Sequence, residues 1–533
     1  MENVPAEPKR ARQSKPKVKT GCRTCKYRRV KCDENRPDCL RCRRFGVECE
    51  GYEIHTKAPA KFVNIMPRNP LHAIIDHNPG DETEHRYSQF FQEYTASELS
   101  GFFVSDFWTR RVLQESRQDN SIRYAIVAIG ALYKAVEVAR RTELRSEDTS
   151  HQIMHFQLAL QKYHKAIRCQ RDALAKRSVP ITTTLISCLL FVCFESFQGN
   201  HQSALAQIKG GLNLLKEVHT NWVDRVLPGS HASHGPTVDV ELLQMFVRLE
   251  VQSKTLRCTT PWFMMQRPLQ LDTSTALEKF LLDDPTTRSY STLDDARRSW
   301  DLMMKVLLEF NHAAAYWKYL PPEDVPAVLH EEHAQRLAGL NAWSSKSETF
   351  FAQTLSNPTL KEYSGAVILR LHSLVIEILL PTSLDPSEVV YDSFWEQFRE
   401  IVALTRSLLE SRKMPRSTFF MFDMGLVVPL YLTALKCRDR VIRREAISLL
   451  RSECRREGIW ESGLGAEVGS WIMQLEEQNV SSMVTIPEKH RFRIIDMTFD
   501  LQRREATAWC GQRPAAVCKD INVQKTNIQW SYQ

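Results

Sequence analysis

The sequence predicts two parts of unlike build. A small module organised by cysteine comes first, and a large all-α domain follows. A disordered basic arm precedes the module and a linker leaves it. Three observations carry this reading. Six cysteines recur at fixed intervals between Cys22 and Cys49; the whole formal charge of +8 lies in the first 50 residues; and helical periodicity runs from residue 96 onward with strand alternation nearly absent.

Residues 1–20 are polar, carry Pro5, Pro8 and Pro16, and have no apolar period, which predicts disorder. Lys9, Arg10, Arg12, Lys15, Lys17 and Lys19 form a basic cluster there. Such a cluster suits a nuclear import signal or an arm laid along a polyanion, against the plain alternative of an unspecialised tail.

Cys22, Cys25, Cys32, Cys39, Cys42 and Cys49 spell Cys-x2-Cys-x6-Cys twice, the second copy displaced by 17 residues. A structural zinc ion takes four tetrahedral ligands, with thiolate sulfur at about 2.3 Å. Two separate tetrahedra need more ligands than six thiolates supply, unless two sulfurs bridge. The repeat makes an equivalent pair the natural bridge, and Cys22 with Cys39 is the pair chosen. The expectation is two Zn²⁺ per chain, held by sulfur alone. A disulfide framework fits poorly with basic flanks, with the lack of a secretory signal ahead of the motif, and with the scatter of the other eight cysteines. A single four-cysteine site with two spare thiols leaves the repeat unexplained.

The run Gly21–Asp33, then Arg36-Pro37-Asp38-Cys39, then Cys42 and Gly46–Cys49, resembles the fungal Zn2Cys6 binuclear zinc cluster DNA-binding domain. The resemblance covers residues 21–52. It implies a module that inserts a short helix end into the major groove of double-stranded DNA and reads a CGG triplet. It also implies bridging by the first and fourth cysteines, here Cys22 and Cys39. Arg28 and Arg29 match the family's base-contacting pair, although the second position is often lysine there. Charge points to the same half: Lys26, Arg28, Arg29 and Lys31 lie between Cys25 and Cys32 with no acid, whereas the equivalent stretch carries Arg43, Arg44 and Glu48. Arginine can bond guanine O6 and N7 bidentately. Lys26, Lys31 and Arg23 suit phosphates, which position without specifying. The plain alternative for all of these is a solvated basic face.

Residues 1–50 hold 15 Lys and Arg against 7 Asp and Glu, so residues 51–533 are neutral. Residues 53–95 carry scattered prolines and no heptad run, and read as a linker without a zipper. From 96 to 510 the apolar spacing is helical, as in Ile122, Ala125, Ile126, Ile129 and Leu132. The apolar run Ile181–Phe194 reads as a buried core helix rather than a membrane span. Phrases such as Asp106–Gln114, Ile122–Leu132, Cys188–Glu195 and Pro429–Asp439 resemble, more loosely, the helical regulatory domain of the same family. Residues 511–533 read as a polar tail.

Signals for enzyme chemistry are weak. His151 and His155 are four apart, but Gln152 stands where a metalloprotease helix needs Glu. His330 and His333 flank two glutamates and read as surface. Gly463, Gly465 and Gly469 follow no strand. Asp385–Glu396 mixes acids with apolar residues, which suits an activation segment less well than an amphipathic helix. The reading is a nuclear, non-enzymatic transcription factor of RNA polymerase II genes. Its partners are CGG-type half-sites, a second copy or transcriptional co-regulators, and no membrane. The alternative is a nuclear scaffold whose cluster contacts protein.

Overall fold

The computed structural model describes residues 21–28, 30–35, 37–49, 81–103, 105–141, 146–176, 179–218, 238–257, 289–411, 420–452, 455–478, 480, 485–512 and 523–531. The chain forms two compact units, residues 1–69 and 70–533. The basic cluster at 9–19 lies outside the described residues.

In the first unit the sequence repeat is also a backbone repeat. Helix α1 (Arg23–Tyr27) and helix α2 (Leu40–Arg44) occupy the same place in the two cysteine copies. Each begins after a cysteine whose sulfur takes the place of a capping oxygen. The Cys25 N–H donates to Cys22 Sγ at 3.4 Å, and the Cys42 N–H donates to Cys39 Sγ at 3.3 Å. Each turn then closes alike: the Val30 N–H donates to Cys25 O at 3.1 Å, and the Val47 N–H to Cys42 O at 3.2 Å. Gly46, at φ +71°, supplies the left-handed residue that the second return needs.

The second unit is mostly helix. Its long helices include Asn120–Arg141, Ser146–Ala175, Ile181–Gln198, His201–Val218, Val240–Arg257, Leu293–Trp317, Ala327–Leu355, Tyr363–Leu379 and Trp395–Ser411. Val427–Lys436, Arg440–Ser452 and Ser462–Glu477 follow. Helix Ile181–Gln198 alone among the described residues is long and apolar enough to cross a membrane, and most of it is buried inside this unit. Leu185, Leu189, Leu190, Cys193 and Phe194 are its core face. It stops at Gly199 (φ +84°), where the Asn200 N–H reaches back to Glu195 O at 2.9 Å. A helix-interior glycine costs about 0.5–1 kcal/mol relative to alanine. Gly130 accepts that cost because a Cβ there would sit 2.4 Å from Tyr87 O.

Two small sheets complete the unit. Strands β1 (Phe420–Met421), β2 (Arg456–Glu457) and β3 (Trp460–Glu461) pair in that order, β1 parallel to β2 and β2 antiparallel to β3. Strands β4 (Phe492–Asp500), β5 (Glu505–Gln512) and β6 (Val523–Gln529) form an antiparallel meander, with Asp500 opposite Glu505 and Glu505 opposite Gln529. Trp530 locks the meander to the bundle by donating Nε1–H to Glu461 at 3.1 Å.

Two boundaries differ from the sequence reading. Residues 81–95, expected inside the linker, are helical from Asp81, and Tyr87 and Phe91 are buried. Only these few anchors punctuate a polar stretch, too few to show a period. The tail expected after 511 contains β6, whose burial is confined to Ile528. A strand with one inward side chain shows no alternation. The expected all-helical stretch also ends early, since β4 and β5 lie within 492–512. The Asp385–Glu396 stretch is a short 3-10 helix, Val389–Phe394, leading into helix Trp395–Ser411.

Buried ion pairs tie these parts together. Glu476, fully buried, accepts from Arg438 at 2.8 Å, from Arg443 at 2.6 Å and from the Phe492 N–H at 2.9 Å. Burial opposes its charge, but the two arginines outweigh burial and hold the carboxyl below its ordinary range. Arg491 grips Asp392 at 2.6 Å and donates to Glu388 O at 2.9 Å. For Glu388, burial again pushes upward, and Lys436 and Arg438 hold the carboxyl at about 2.

Removing one member of such a network strands the others. Glu476→Gln should lower stability by about 3–5 kcal/mol in a guanidinium titration; a loss below about 1 kcal/mol would mean the network is dispensable. A carboxyl held low adds stability above its unfolded value, here 4.5, and that stability is lost as pH falls toward 2. The acid limb of the stability profile should therefore flatten between these values in Glu388→Gln, which will itself be less stable at neutral pH.

Candidate metal centre and nucleic-acid interface

The centre of the first unit is sulfur. Cys22, Cys25, Cys39 and Cys42 are fully buried, and Val30, Cys32 and Cys49 pack against them. The thiols fall into two four-membered groups: Cys22, Cys25, Cys32 and Cys39, then Cys22, Cys39, Cys42 and Cys49. Within each, the sulfurs lie within 4.8 Å of one another, and Cys22 and Cys39 belong to both. Contacts run from 3.6 Å (Cys25–Cys39) through 3.7 Å (Cys22–Cys39) to 3.9 Å (Cys22–Cys42). A tetrahedron with Zn–S bonds of about 2.3 Å has edges of about 3.8 Å. The donor set therefore fits zinc in both type and spacing.

A cation would be needed to hold these sulfurs as thiolates. Burial pushes the Cys22 thiol up to about 12, and pushes Cys39 and Cys25 up as well. Thiolates this buried form only against a compensating charge, and a dication supplies it. The N–H donors to Cys22 and Cys39, together with those of Cys22 and Glu34 to Cys32 at 3.5 and 3.4 Å, favour the anionic sulfur.

The basic residues surround this centre. Arg23 and Lys31 are exposed, as are Arg41, Arg43 and Arg44 on α2, which has no acid. The backbone of Lys26 is in α1, while its side chain and all of Arg29 lie outside the described residues. Arg28 is half-buried, with its guanidinium carbon 3.8 Å from the centroid of the Phe45 ring. Its Nη1 is screened from solvent and has no hydrogen-bond partner among the described residues. An unmet buried donor costs about 1–3 kcal/mol. Phe45 was missed in the sequence, although the 17-residue repeat makes it the counterpart of position 28. The Thr24 hydroxyl donates to Glu48 O at 3.2 Å and links the two halves.

The other sequence candidates have structural occupations. His155 is buried against the Tyr87 hydroxyl at 2.5 Å, and burial lowers its pKa; His151 is exposed. His333 bonds Leu380 O at 2.8 Å and stacks on Phe310. Contrary to the sequence reading, Gly463, Gly465 and Gly469 do follow a strand, the two-residue β3, but Gly463 and Gly469 serve packing by making room for Trp530 and Ala434. A cavity of about 50 Å³ in the helical unit is lined in part by Arg248, Arg297, Asp301, His372 and Asp423. Its charges pair with one another, Arg248 with Asp301 at 3.1 Å and with Asp423 at 2.9 Å.

Geometry and charge thus define a six-thiol module with a zinc-type donor set and a basic surface, in a chain that also carries a helical unit. Residues 20–59 match the family model of the fungal Zn(2)-Cys(6) binuclear cluster domain. The chain is similar to the aspercryptin biosynthesis cluster-specific transcription regulator atnN of Emericella nidulans, 23% identical over 86% of this chain and 87% of that protein. Transcription regulator lscL of Purpureocillium lilacinum is 24% identical over 42% of this chain and 55% of its own length. The Zn(2)-C6 fungal-type transcription factor afumD of Aspergillus fumigatus is 30% identical over 22% of this chain and 32% of its own. No solved structure matches the chain. The chain is a fungal Zn2Cys6 transcription factor, with a zinc-binding, DNA-binding cluster at its N-terminal end.

The described core of the first unit is built of thiols with little hydrocarbon. Metal removal should therefore unfold it and leave the helical unit intact. In the full chain, a strong chelator should abolish hydrogen-exchange protection across residues 21–49 and spare helices such as Ile181–Gln198. Persistent protection at Cys22–Cys42 after the metal is gone would show that the module stands without it.

Proposed function

We propose that the module reads CGG-type elements in double-stranded DNA upstream of RNA polymerase II genes. In this reading it holds two zinc ions through Cys22, Cys25, Cys32, Cys39, Cys42 and Cys49, with Cys22 and Cys39 bridging. The supporting observation is the sharing of Cys22 and Cys39 by two four-thiol groups, beside a segment of four cations without an acid. Zinc supplies the charge that neutralises the thiolates and the bonds that cross-link the halves. The protein's own residues do the recognition. Arg28 and Arg29 address base edges in the major groove, and Arg23, Lys26 and Lys31 address phosphates.

The remaining assignments follow the same reading. Lys9, Arg10, Arg12, Lys15, Lys17 and Lys19 direct nuclear import or track the phosphates. The DNA-binding segment is 21–52, a linker follows it, and the helical unit is regulatory rather than enzymatic. The relative similar along most of the chain is named for one biosynthetic cluster. That name supports a comparably confined gene set for this chain.

Binding-site selection with the full-length, zinc-loaded protein on randomised duplexes tests the reading. One enriched CGG triplet means a single reader, and two at fixed spacing mean paired chains. No enrichment with zinc bound removes the DNA reading and favours a protein-contacting cluster. Arg29→Ala should abolish triplet selectivity with zinc content unchanged, and retained selectivity would rule Arg29 out as the reader. Lys31→Ala should instead weaken binding to all sequences alike and reduce the salt slope by about one.

A further inference from the structure

We infer that Phe45 is a specificity-determining residue: its ring is the platform that orients Arg28 for a base edge. The inference rests on the DNA reading above and deepens it.

Three observations carry it. First, the contact is made across the internal symmetry of the module. Positions 28 and 45 are 17 apart, as are Cys22 and Cys39 at 3.7 Å and Cys25 and Cys42 at 3.8 Å. Equivalent residues that touch lie at the approximate dyad between the halves. At this point of the dyad one half supplies a cation and the other an aromatic ring.

Second, Phe45 is 68% exposed and is not part of the sulfur core. Packing does not explain a large aromatic side chain left in solvent. Its ring carries the Arg28 guanidinium at 3.8 Å, within the range of a cation–π stack.

Third, the ring holds the guanidinium without a hydrogen bond from Nη1, which is screened from solvent and has no acceptor among the described residues. A phosphate contact needs only charge, whereas bidentate bonding to a guanine edge needs the plane of the fork fixed. Lysine at position 28 would carry the charge without the plane. The arrangement of Arg28 on Phe45 therefore suits reading rather than mere attraction.

The test uses the full-length, zinc-loaded chain. It compares affinity for the selected duplex with affinity for single-base variants of it, at one salt concentration, alongside zinc content. Phe45→Leu keeps an apolar residue and removes the π face. It should cost about three- to tenfold in selectivity at the base read by Arg28, with zinc content and affinity for unrelated DNA unchanged. Phe45→Trp should retain selectivity, and adding Phe45→Leu to Arg28→Ala should cost nothing further. Unchanged selectivity in Phe45→Leu overturns the inference. So does loss of zinc in Phe45→Leu, or a fully additive double variant, because either makes Phe45 a packing residue. A wild-type chain that selects no sequence fails the DNA reading itself, an outcome separate from these.

Discussion

Two sulfurs 3.7 Å apart, Cys22 and Cys39, set the terms for the N-terminal module. They are buried, they cap the two short helices, and they belong to both four-thiol groups. So few residues cannot bury enough hydrocarbon to fold on that basis alone. The cysteines must serve as ligands and as core, and the burial that makes them core also raises their pKa values. Charge compensation and folding are therefore one event in this module. The basic segments can only be presented once it has happened, because α1 and α2 exist by virtue of the sulfurs that cap them.

The helical unit meets a different constraint. Its hydrocarbon core is large, but several junctions between its elements are ionic. Arg248 and Arg297 share Asp423 where helices Val240–Arg257 and Leu293–Trp317 meet the segment after β1. Glu476 and Arg491 fasten β4 to the bundle. Buried pairs add little net stability compared with hydrocarbon of the same shape, but they are intolerant of mispairing. Apolar helices can slide past one another at small cost. A carboxylate that needs two guanidinium groups and a backbone N–H has one position.

What could be read in advance follows from this difference. Thiol spacing is rigid chemistry, so the cysteine repeat pointed to the module, and the 17-residue displacement reappears in both helices and both closing hydrogen bonds. Long amphipathic helices were legible because many residues vote for one period. Asp81–Phe90 and β6 were not, since each is held by one or two inward side chains, and such segments are defined by what they dock against. The ionic junctions were illegible for the same reason: Glu388 and Arg491 are 103 residues apart. The ring under Arg28 lay within reach of the repeat arithmetic, but composition at position 45 carries no hint of a cation partner.

The module is thus symmetric in its scaffold and asymmetric in its surface. Caps, closures and thiol groups match between the halves. The side chains mounted on them do not: Arg28 faces Phe45, Leu40 stands exposed where the first half has Arg23, and Glu48 stands where the first half has Lys31. A symmetric surface would offer a duplex two equivalent ways to dock and would blur the register of any triplet it read. On the proposed DNA reading, the acid-free cation segment between Cys25 and Cys32, with Arg28 set on Phe45, would favour a single docking direction. The duplicated scaffold secures the fold, and the proposed recognition rests on the positions where the two halves differ.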